Sequence, residues 1–326
     1  MTHSFRAFME KTIDYAGLFP PAVLTMEKAV ANYDRYRECP ESWMLSHFIC
    51  PAAKLDEFEV ISAGLMKEGK PFHISSLGRK AEKLERFLEC IQEDVSAVGQ
   101  FTERNAGKVV VDVFEFCLPP GLSSQPERLE ENLDASGKIL IQHASSSCPA
   151  AVYYETPLSL DWQEDIDLVV HAISRQNSSY KDNTLTAGFK FRCGGVRAEQ
   201  SPSVEQVVCC ITTCRDAGVR LKLTAGLHHP YRHFNESIQT KMHGFINIFT
   251  AALLGKRHKL NAVTLTKIIE DEDGSNFRFE EQTLSWKDLS ITTDQIEEDR
   301  ENVIISFGCC SFDEPREDLQ KLGLLK

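Results

Sequence analysis

Short runs of β-branched and aromatic residues that end at glycine or proline alternate with amphipathic segments along most of this chain. Such runs predict buried strands, and the segments between them have the apolar spacing of helices that pack on a sheet. The predicted strands are Trp43–Cys50, Phe72–Leu77, Lys108–Phe116, Ala150–Glu155, residues 186–192, residues 219–224 and Val303–Gly308. Strands that alternate with helices form parallel sheets with right-handed crossovers. In 326 residues, this α/β pattern fits a closed (βα)8 TIM-type barrel best.

The barrel is expected to be a single α/β domain that spans residues 1–326. Its N-terminal part, residues 1–40, is predicted to hold an irregular segment followed by a helix. Gly17 and the Pro20-Pro21 pair exclude a regular helix from the irregular segment, because proline removes a backbone donor and both residues favour turns.

Other stretches leave the architecture more open. Residues 138–144 fit either a strand or the end of a helix that begins near Pro126. A helix is predicted near residues 237–255, and residues 258–300 are expected to be an insertion with a small antiparallel β-hairpin and an acidic helix. A doubly wound open parallel sheet is the alternative fold, although neither a GxGxxG after an early strand nor a GxxxxGK[ST] loop supports it.

Charge and composition narrow the expected partners. The chain has 36 basic and 48 acidic residues, so its formal charge of -12 repels nucleic acid and anionic membranes, and neither is expected as a partner. The longest apolar run, Phe245 to Leu254, is about half of the ~20 residues that a membrane-spanning helix needs. The 11 cysteines lack CxxC spacing, which indicates reduced thiols and a cytoplasmic protein.

Cationic and ionisable residues follow two neighbouring predicted strands. Lys190 and Arg192 lie at the end of one strand, and Lys222 lies in the next, ahead of His228 and His229. Active sites of α/β proteins form at the carboxyl ends of parallel strands, so these ends are the predicted site.

The glycines after these strands suggest that the site binds an anion. Gly194, Gly195 and Gly226 can present backbone N–H groups to a phosphate or carboxylate, and ordinary turn glycines are the alternative interpretation. With Arg192, His229 and Arg232 they are the predicted substrate-binding residues. The expected partner is a small anionic carbonyl compound or sugar phosphate, and assembly into a homo-oligomer stays open.

Two family resemblances bear on this prediction. The segments DYAGLFPPA, GFKFRCGGV, KLTAGLHHPYR, GFINIFTAA and SFGCCSFDEP together resemble a mostly bacterial family that has no assigned activity, and they imply a barrel-like fold but no reaction. Locally, Lys190 before Cys193-Gly194-Gly195 and Lys222 before Thr224-Ala225-Gly226 are similar to class I aldolases of the deoxyribose-phosphate type. That resemblance implies a lyase or isomerase with Lys190 as the Schiff-base lysine, although Phe191 and Arg192 replace the family's small polar residues.

A Schiff-base lysine must be partly neutral, and at an ordinary pKa of about 10.4 only about 0.04% of a lysine is neutral at pH 7. Lys222 and Arg192 are the cations expected to lower the pKa of Lys190. Glu155 or His228 is then the predicted group that moves protons, and Glu155 is also a candidate ion-pair partner of Lys190. Cys193 is expected to have thiolate character beside the cations.

Several alternatives remain at this stage. His228 and His229 are adjacent, so only one of them is expected to enter the site. Asp112 and Glu115 differ in strand parity, so only one should face the barrel interior. No organic cofactor is expected, but a divalent metal is the alternative, and the residues that would converge on it in a metal-dependent hydrolase are His47, His73, Asp112, Glu155 and His228. The third interpretation is a barrel in which the same cations bind an anion without catalysis. A structural alternative is that Lys190, Arg192 and Lys222 pair with carboxylates such as Asp112 and Glu155.

Overall fold

The computed structural model describes residues 1–143, 150–180 and 185–325. Its strands, in chain order, are β1 Ile13–Tyr15, β2 Leu45–Pro51, β3 Phe72–Leu77, β4 Val109–Cys117, β5 Ala150–Glu155, β6 Leu185–Arg192, β7 Arg220–Thr224, β8 His233–Asn235, β9 Thr240–Met242, β10 Phe277–Phe279, β11 Thr283–Trp286, β12 Leu289–Thr292 and β13 Ile304–Cys309. Parallel strands form a closed barrel in the order β1-β13-β7-β6-β5-β4-β3-β2. The predicted (βα)8-type barrel is therefore confirmed, and the open doubly wound sheet is excluded.

Helices alternate with the barrel strands. They are α1 His3–Met9, α2 Met26–Arg37, α3 Leu55–Ser62, α4 Leu84–Arg104, α5 Pro126–His143, α6 Trp162–Ser179, α7 Val204–Ala217, α8 Phe245–His258, α9 Ala262–Glu270, α10 Thr293–Asn302 and α11 Asp313–Lys321. Their ends follow local sequence signals: α7 begins at a capping box between Ser203 and Gln206 and ends at Gly218, whose φ of 66° suits glycine. The ambiguous stretch 138–144 is helical as far as His143, and Ala144 lies outside the described residues.

Two sequence-based boundaries were wrong. The helix predicted near residues 237–255 begins only at Phe245, because β8 and β9 form an antiparallel hairpin before it. The insertion contains the three-stranded antiparallel sheet β10-β11-β12 and the helix α9, in place of a single hairpin. Its acidic helix α10 was predicted correctly, with Thr292 as the N-cap.

The N-terminal segment predicted to be irregular contains the first barrel strand. β1 pairs in parallel with β13, and Asp14 lies opposite Gly308. A strand of three residues with a central aspartate, between a turn and a Gly/Pro-rich stretch, has too little apolar periodicity to be recognised. Its pairing with the last barrel strand supplies the stability that its local sequence lacks.

Contacts between Cα atoms divide the chain into two compact units. The first unit comprises Met1–Val23, Tyr36–Ser46 and Phe191–Lys326, and the second comprises Leu24–Arg35 and His47–Lys190. Within the described ranges, no helix combines the length and the apolar character that a bilayer-spanning segment requires.

In the second unit, an aromatic cluster fixes which strand face meets the helices. Phe48 of β2 and Phe72 of β3 both contact Phe58 of α3, with ring centroids 5.5 Å apart in each case. Side chains alternate along a strand, so Ser75, in register with Ile49, lies on the opposite face, toward the barrel interior. Such aromatic pairs each stabilise the packing by about 0.5–1.5 kcal/mol.

In the first unit, Phe307 of β13 fixes which strand face meets the helices. It packs on Phe245 and Phe249 of α8 and is in register with Leu223 and Ile13. The residues next to these three in sequence, Ser306, Lys222 and Asp14, therefore lie on the other face of their strands, which is the interior face.

Candidate functional site

Lys190 lies between two carboxylates in the barrel strands of the second unit. Its Nζ is 2.8 Å from Oε2 of Glu115 and 3.0 Å from Oε2 of Glu155. The strand register explains these contacts. Glu155 of β5 lies opposite Lys190 of β6 and opposite Cys117 of β4. Glu115 is two residues before Cys117 and therefore lies on the same face of β4. The side chains of Lys190 and Glu115 are 5% and 1% exposed, and Ser75 donates a hydrogen bond to Oε1 of Glu115. These four residues are called the Lys190 cluster.

The electrostatics of the Lys190 cluster differ from the sequence-based expectation. Burial alone would lower the pKa of Lys190, but the negative charges of Glu115 and Glu155 outweigh it and raise that pKa above its ordinary value. The expected lowering was therefore wrong in direction, and Lys190 is a protonated ammonium near neutral pH. The predicted ion pair between Lys190 and Glu155 is confirmed.

Lys222 occupies a second buried cluster, in the first unit. Its Nζ donates hydrogen bonds to Oδ2 of Asp14 and, over 3.1 Å, to Oγ of Ser306. The Ser306 hydroxyl in turn donates to Oδ2 of Asp14, so the three groups form a closed triangle. The side chains of Lys222 and Asp14 are 2% and 0% exposed. Asp14, which sequence analysis placed in an irregular segment, is therefore the buried counter-ion of Lys222; these three residues are called the Lys222 cluster.

The glycines after β6 and β7 are explained by close backbone packing. A Cβ on Gly194 would lie 2.8 Å from the Cα of Gly226, and a Cβ on Gly226 would lie 2.6 Å from the Cα of Gly194. Gly226 also has a φ of 75°, which an L side chain rarely adopts. At Gly195 a Cβ would meet the Gln200 side chain, whose Oε1 accepts the next two backbone N–H groups. This close packing supports the interpretation of these residues as turn glycines. Anion binding at these glycines stays a prediction.

Three further residues of the predicted site have distinct surroundings. Arg192 is exposed at the end of β6, whereas Cys193 is buried, and burial raises the pKa of its thiol, so the expected thiolate character was wrong. Arg232 is partly buried; its Nη1 lies 3.2 Å from Nδ1 of His243, and its backbone N–H donates to the Asn247 side chain. Burial lowers the pKa of the Arg232 guanidinium, which nonetheless stays cationic near neutral pH.

His228 lies among sulfur and carboxylate atoms. Its Nδ1 is 2.7 Å from Oε2 of Glu314 and 3.7 Å from Sγ of Cys309, and its Nε2 is 4.0 Å from Sγ of Cys310. Burial opposes protonation, but the contacts with Cys309, Cys310 and Glu314 outweigh it and raise the pKa of His228. The hydrogen bond from His228 correspondingly lowers the pKa of Glu314.

Both adjacent histidines, and not only one, reach the same cavity. His228 and His229 line a space of about 160 Å³, together with His233, Asn235 and Glu314. His229 differs from His228 in its partners, since its Nδ1 lies 2.6 Å from Asp318 and its ring packs edge-on against His233. The cavity therefore combines imidazole and carboxylate groups at the carboxyl end of β7, where barrel enzymes place their chemistry.

The residues predicted for a single metal centre have different partners. His47, His73 and Asp112 form one group whose ligand atoms lie within 4.8 Å of one another, but Glu155 contacts Lys190, and His228 belongs to a group with Cys309 and Glu314. The ligand atoms of these residues therefore fall into separate groups in the described part of the chain, and binding of a divalent metal stays a prediction. On β4 the register shifts at Asp112: Ile74 pairs with Val111 and Ser75 with Val113, so Asp112 is an extra, bulged residue.

Comparisons with known proteins add only a general likeness. No family model matches the sequence, and no curated protein matches it. Among solved structures, the chain is similar to endoglucanase CEL6B from Humicola insolens, with 10% sequence identity and a TM-score of 0.32 over 78% of this chain and 74% of that chain. This likeness carries no argument about activity.

Proposed function

We propose that this chain is an enzyme that acts on the carbonyl group of a small molecule through a Schiff base on Lys190, in a lyase or isomerase reaction. The observation that carries the proposal is the position of the Lys190 Nζ, 2.8 Å from Glu115 and 3.0 Å from Glu155. A buried amine held between two proton acceptors near the carboxyl ends of parallel barrel strands has the groups that imine formation needs.

The chemistry divides between the amine and the carboxylates. A carboxylate takes one proton from the Lys190 ammonium, and the neutral amine then forms a C–N bond to the carbonyl carbon, whose oxygen gains a proton. The carboxylic acid then returns its proton to the hydroxyl group of this carbinolamine, which leaves as water. The resulting protonated imine accepts the electron pair when a neighbouring C–C or C–H bond breaks.

The two carboxylates are suited to different tasks. The Glu155 side chain is 13% exposed, and it lies at the end of β5, so Glu155 is the group that exchanges protons with a substrate. Glu115 is 1% exposed and accepts a hydrogen bond from Ser75, so it positions the amine and balances its charge.

Charge in the Lys190 cluster also bears on the substrate. One ammonium faces two carboxylates, so an anionic group would be repelled from the reacting atoms. The reacting end of the substrate is therefore an uncharged aldehyde or ketone. The anionic group expected from the sequence then requires a cation outside this cluster.

Borohydride trapping tests the proposal. The full chain is incubated with a panel of small aldehydes, ketones and sugar phosphates, reduced, and read by intact mass and peptide mapping. Lys190→Arg keeps a cation between the carboxylates but cannot form an imine, and Lys222→Arg is the matched control. We expect a single adduct on Lys190 in the native chain and in Lys222→Arg, and none in Lys190→Arg.

The pH dependence sharpens the same experiment. Because Glu115 and Glu155 raise the pKa of Lys190, the adduct yield should still be rising where an ordinary lysine is already mostly neutral. Glu155→Gln removes one of the charges that raise this pKa and should move the yield curve to lower pH. If adducts spread over surface lysines, with equal yield in Lys190→Arg, the Schiff-base proposal fails; anions that raise the melting temperature without any adduct would favour the non-catalytic barrel.

A further inference from the structure

We infer that His228, Cys309 and Glu314 form a site for a zinc-type metal ion with one coordination position open to the adjoining cavity. Nδ1 of His228, Sγ of Cys309 and a carboxylate oxygen of Glu314 lie within 4.8 Å of one another. This site does not depend on Lys190, so the inference goes beyond the proposed Schiff-base function.

The spacing of the ligand atoms fits tetrahedral coordination. With Zn–S of about 2.3 Å and Zn–N of about 2.0 Å, a tetrahedral angle separates the nitrogen and sulfur ligands by about 3.5 Å. The separation of His228 Nδ1 and Cys309 Sγ is 3.7 Å. Glu314 Oε2 is closer, 2.7 Å from the same nitrogen, because the two groups share a hydrogen bond. The Glu314 side chain is 53% exposed, so it can rotate outward by the roughly 0.6 Å that joint coordination requires.

The fold holds the ligands on regular elements. Cys309 is the last residue of β13, Glu314 lies in the first turn of α11, and His228 follows β7 after a short connection. Behind the imidazole, Cys310 Sγ lies 4.0 Å from Nε2, the nitrogen that would not bind the ion. Contacts to the second ring nitrogen orient histidine ligands in metal sites, so Cys310 is a positioning residue here.

The donor set selects the class of ion. A thiolate, an imidazole and a carboxylate suit Zn²⁺ and related transition metals, whereas Mg²⁺ and Ca²⁺ prefer oxygen ligands alone. Three protein ligands leave a fourth position for water or substrate, which distinguishes catalytic zinc sites from closed structural ones. His228 and Glu314 both line the cavity of about 160 Å³, so this space is available to that fourth ligand.

Cobalt titration tests the inference, because Co²⁺ takes zinc sites and reports thiolate ligands through a charge-transfer band in the near ultraviolet. The full chain is stripped with chelator, titrated with Co²⁺, and then titrated with Zn²⁺. We expect one equivalent of Co²⁺ to produce the band and Zn²⁺ to abolish it. Failure of the native chain to develop the band on addition of Co²⁺ would overturn the site.

Matched variants identify the ligands. Cys309→Ser should remove the band, and His228→Ala should weaken Co²⁺ binding by more than about 100-fold, since loss of a ligand exceeds the 10–100-fold effect of a positioning residue. Cys310→Ser should keep the band with affinity reduced by about 10–100-fold, as expected of a positioning residue, and His229→Ala should keep the band with affinity reduced by less than about tenfold. The exposed ligand variant Glu314→Gln, which leaves the core intact, should weaken binding by about tenfold or more. A band that survives in Cys309→Ser, or native affinity in Glu314→Gln, would overturn the site.

Discussion

The Lys190 and Lys222 clusters place the same residue type at similar burial, yet they differ in charge balance. Lys222 faces one carboxylate, Asp14, and one hydroxyl. Lys190 faces two carboxylates, Glu115 and Glu155, at 2.8 and 3.0 Å. Among the contacts described above, Lys222 therefore has one negatively charged neighbour and Lys190 has two. Under the proposed function, this difference places the imine chemistry at Lys190, which has two proton acceptors beside it, and gives Lys222 a charge-balancing role.

Burial makes both clusters sensitive to the loss of one partner. A buried ion pair gives little net stability over an apolar replacement of both groups, because desolvation offsets the attraction. Removal of one partner is different, since it leaves an uncompensated charge and costs about 3–5 kcal/mol. The size of that cost therefore reports how much charge each lysine balances.

The largest expected effect comes from replacing each lysine by methionine. Lys190→Met removes the cation that contacts both Glu115 and Glu155 and should lower the free energy of unfolding by about 5 kcal/mol. Lys222→Met leaves Asp14, which keeps the Ser306 hydroxyl as a donor, and should cost about 3 kcal/mol. Urea unfolding at pH 7 measures both.

A second substitution separates charge from packing in that experiment. Glu115→Gln added to Lys190→Met removes one of the two carboxylates that lost their contact with Lys190 and should restore part of the lost stability. If Lys222→Met costs more than Lys190→Met, or if Glu115→Gln restores nothing, the number of carboxylates that contact each lysine does not set these costs.

The second prediction concerns His243, a buried ionisable residue. Its hydrogen-bond partners in the described part of the chain include no carboxylate. Its Nε2–H donates to the Pro202 carbonyl over 2.9 Å, and its Nδ1 accepts from Arg232 over 3.2 Å. Burial, with a further contribution from Arg232, lowers the pKa of His243 to about 4. Between an unfolded pKa of about 6.5 and this folded value, the unfolded chain binds a proton that the folded chain does not. Stability should therefore fall by about 3 kcal/mol as pH decreases through this window.

Lys190 has the opposite sign, because its raised pKa gives stability that is complete at neutral pH and is lost only as pH rises through the folded pKa, above 10.5. Urea unfolding of the native chain and of His243→Gln at pH 7 and pH 4.5 checks the acid side. The native chain should lose more stability than the variant over this interval. Equal losses in the two chains would show that His243 does not contribute to the acid sensitivity.

Sequence periodicity was sufficient to predict most of the barrel strands, but not the short strands β1, β8 and β9. The strands β2 to β7 and β13 are dominated by apolar residues and stop at punctuation residues, so they could be predicted. β1 has three residues, and the β8 and β9 strands have three each, so none presents enough of a period to compete with a turn or a helix. Pairing with distant strands, which the sequence does not display locally, decides these segments.

Residues of the candidate site could be predicted only where they lie at the ends of predicted strands. Lys190 and Glu155 could be paired because they end neighbouring predicted strands, but Asp14 lay in a segment read as irregular. Cys309 and Glu314 are 81 and 86 residues away from His228 in sequence. Only closure of the barrel by its last strand, and the turn that starts α11, bring them to that histidine, and neither event has a local sequence signature.

The smallest predicted effect compares the two serines of the clusters. Ser306 donates to Asp14 and accepts from Lys222 at 3.1 Å, whereas Ser75 donates to Glu115. Because Ser306→Ala loses two hydrogen bonds to charged groups and Ser75→Ala loses one, Ser306→Ala should be less stable by about 1 kcal/mol. Urea unfolding at pH 7 measures this difference.

Borohydride trapping gives these two variants a second readout. Ser75→Ala frees the carboxylate of Glu115 to rotate away from Lys190 and should lower the adduct yield, whereas Ser306→Ala should leave the yield unchanged in the folded protein. An adduct yield that follows stability alone in both variants would mean that Ser75 does not position Glu115 for chemistry. The two clusters would then differ only in the number of carboxylates that contact the lysine.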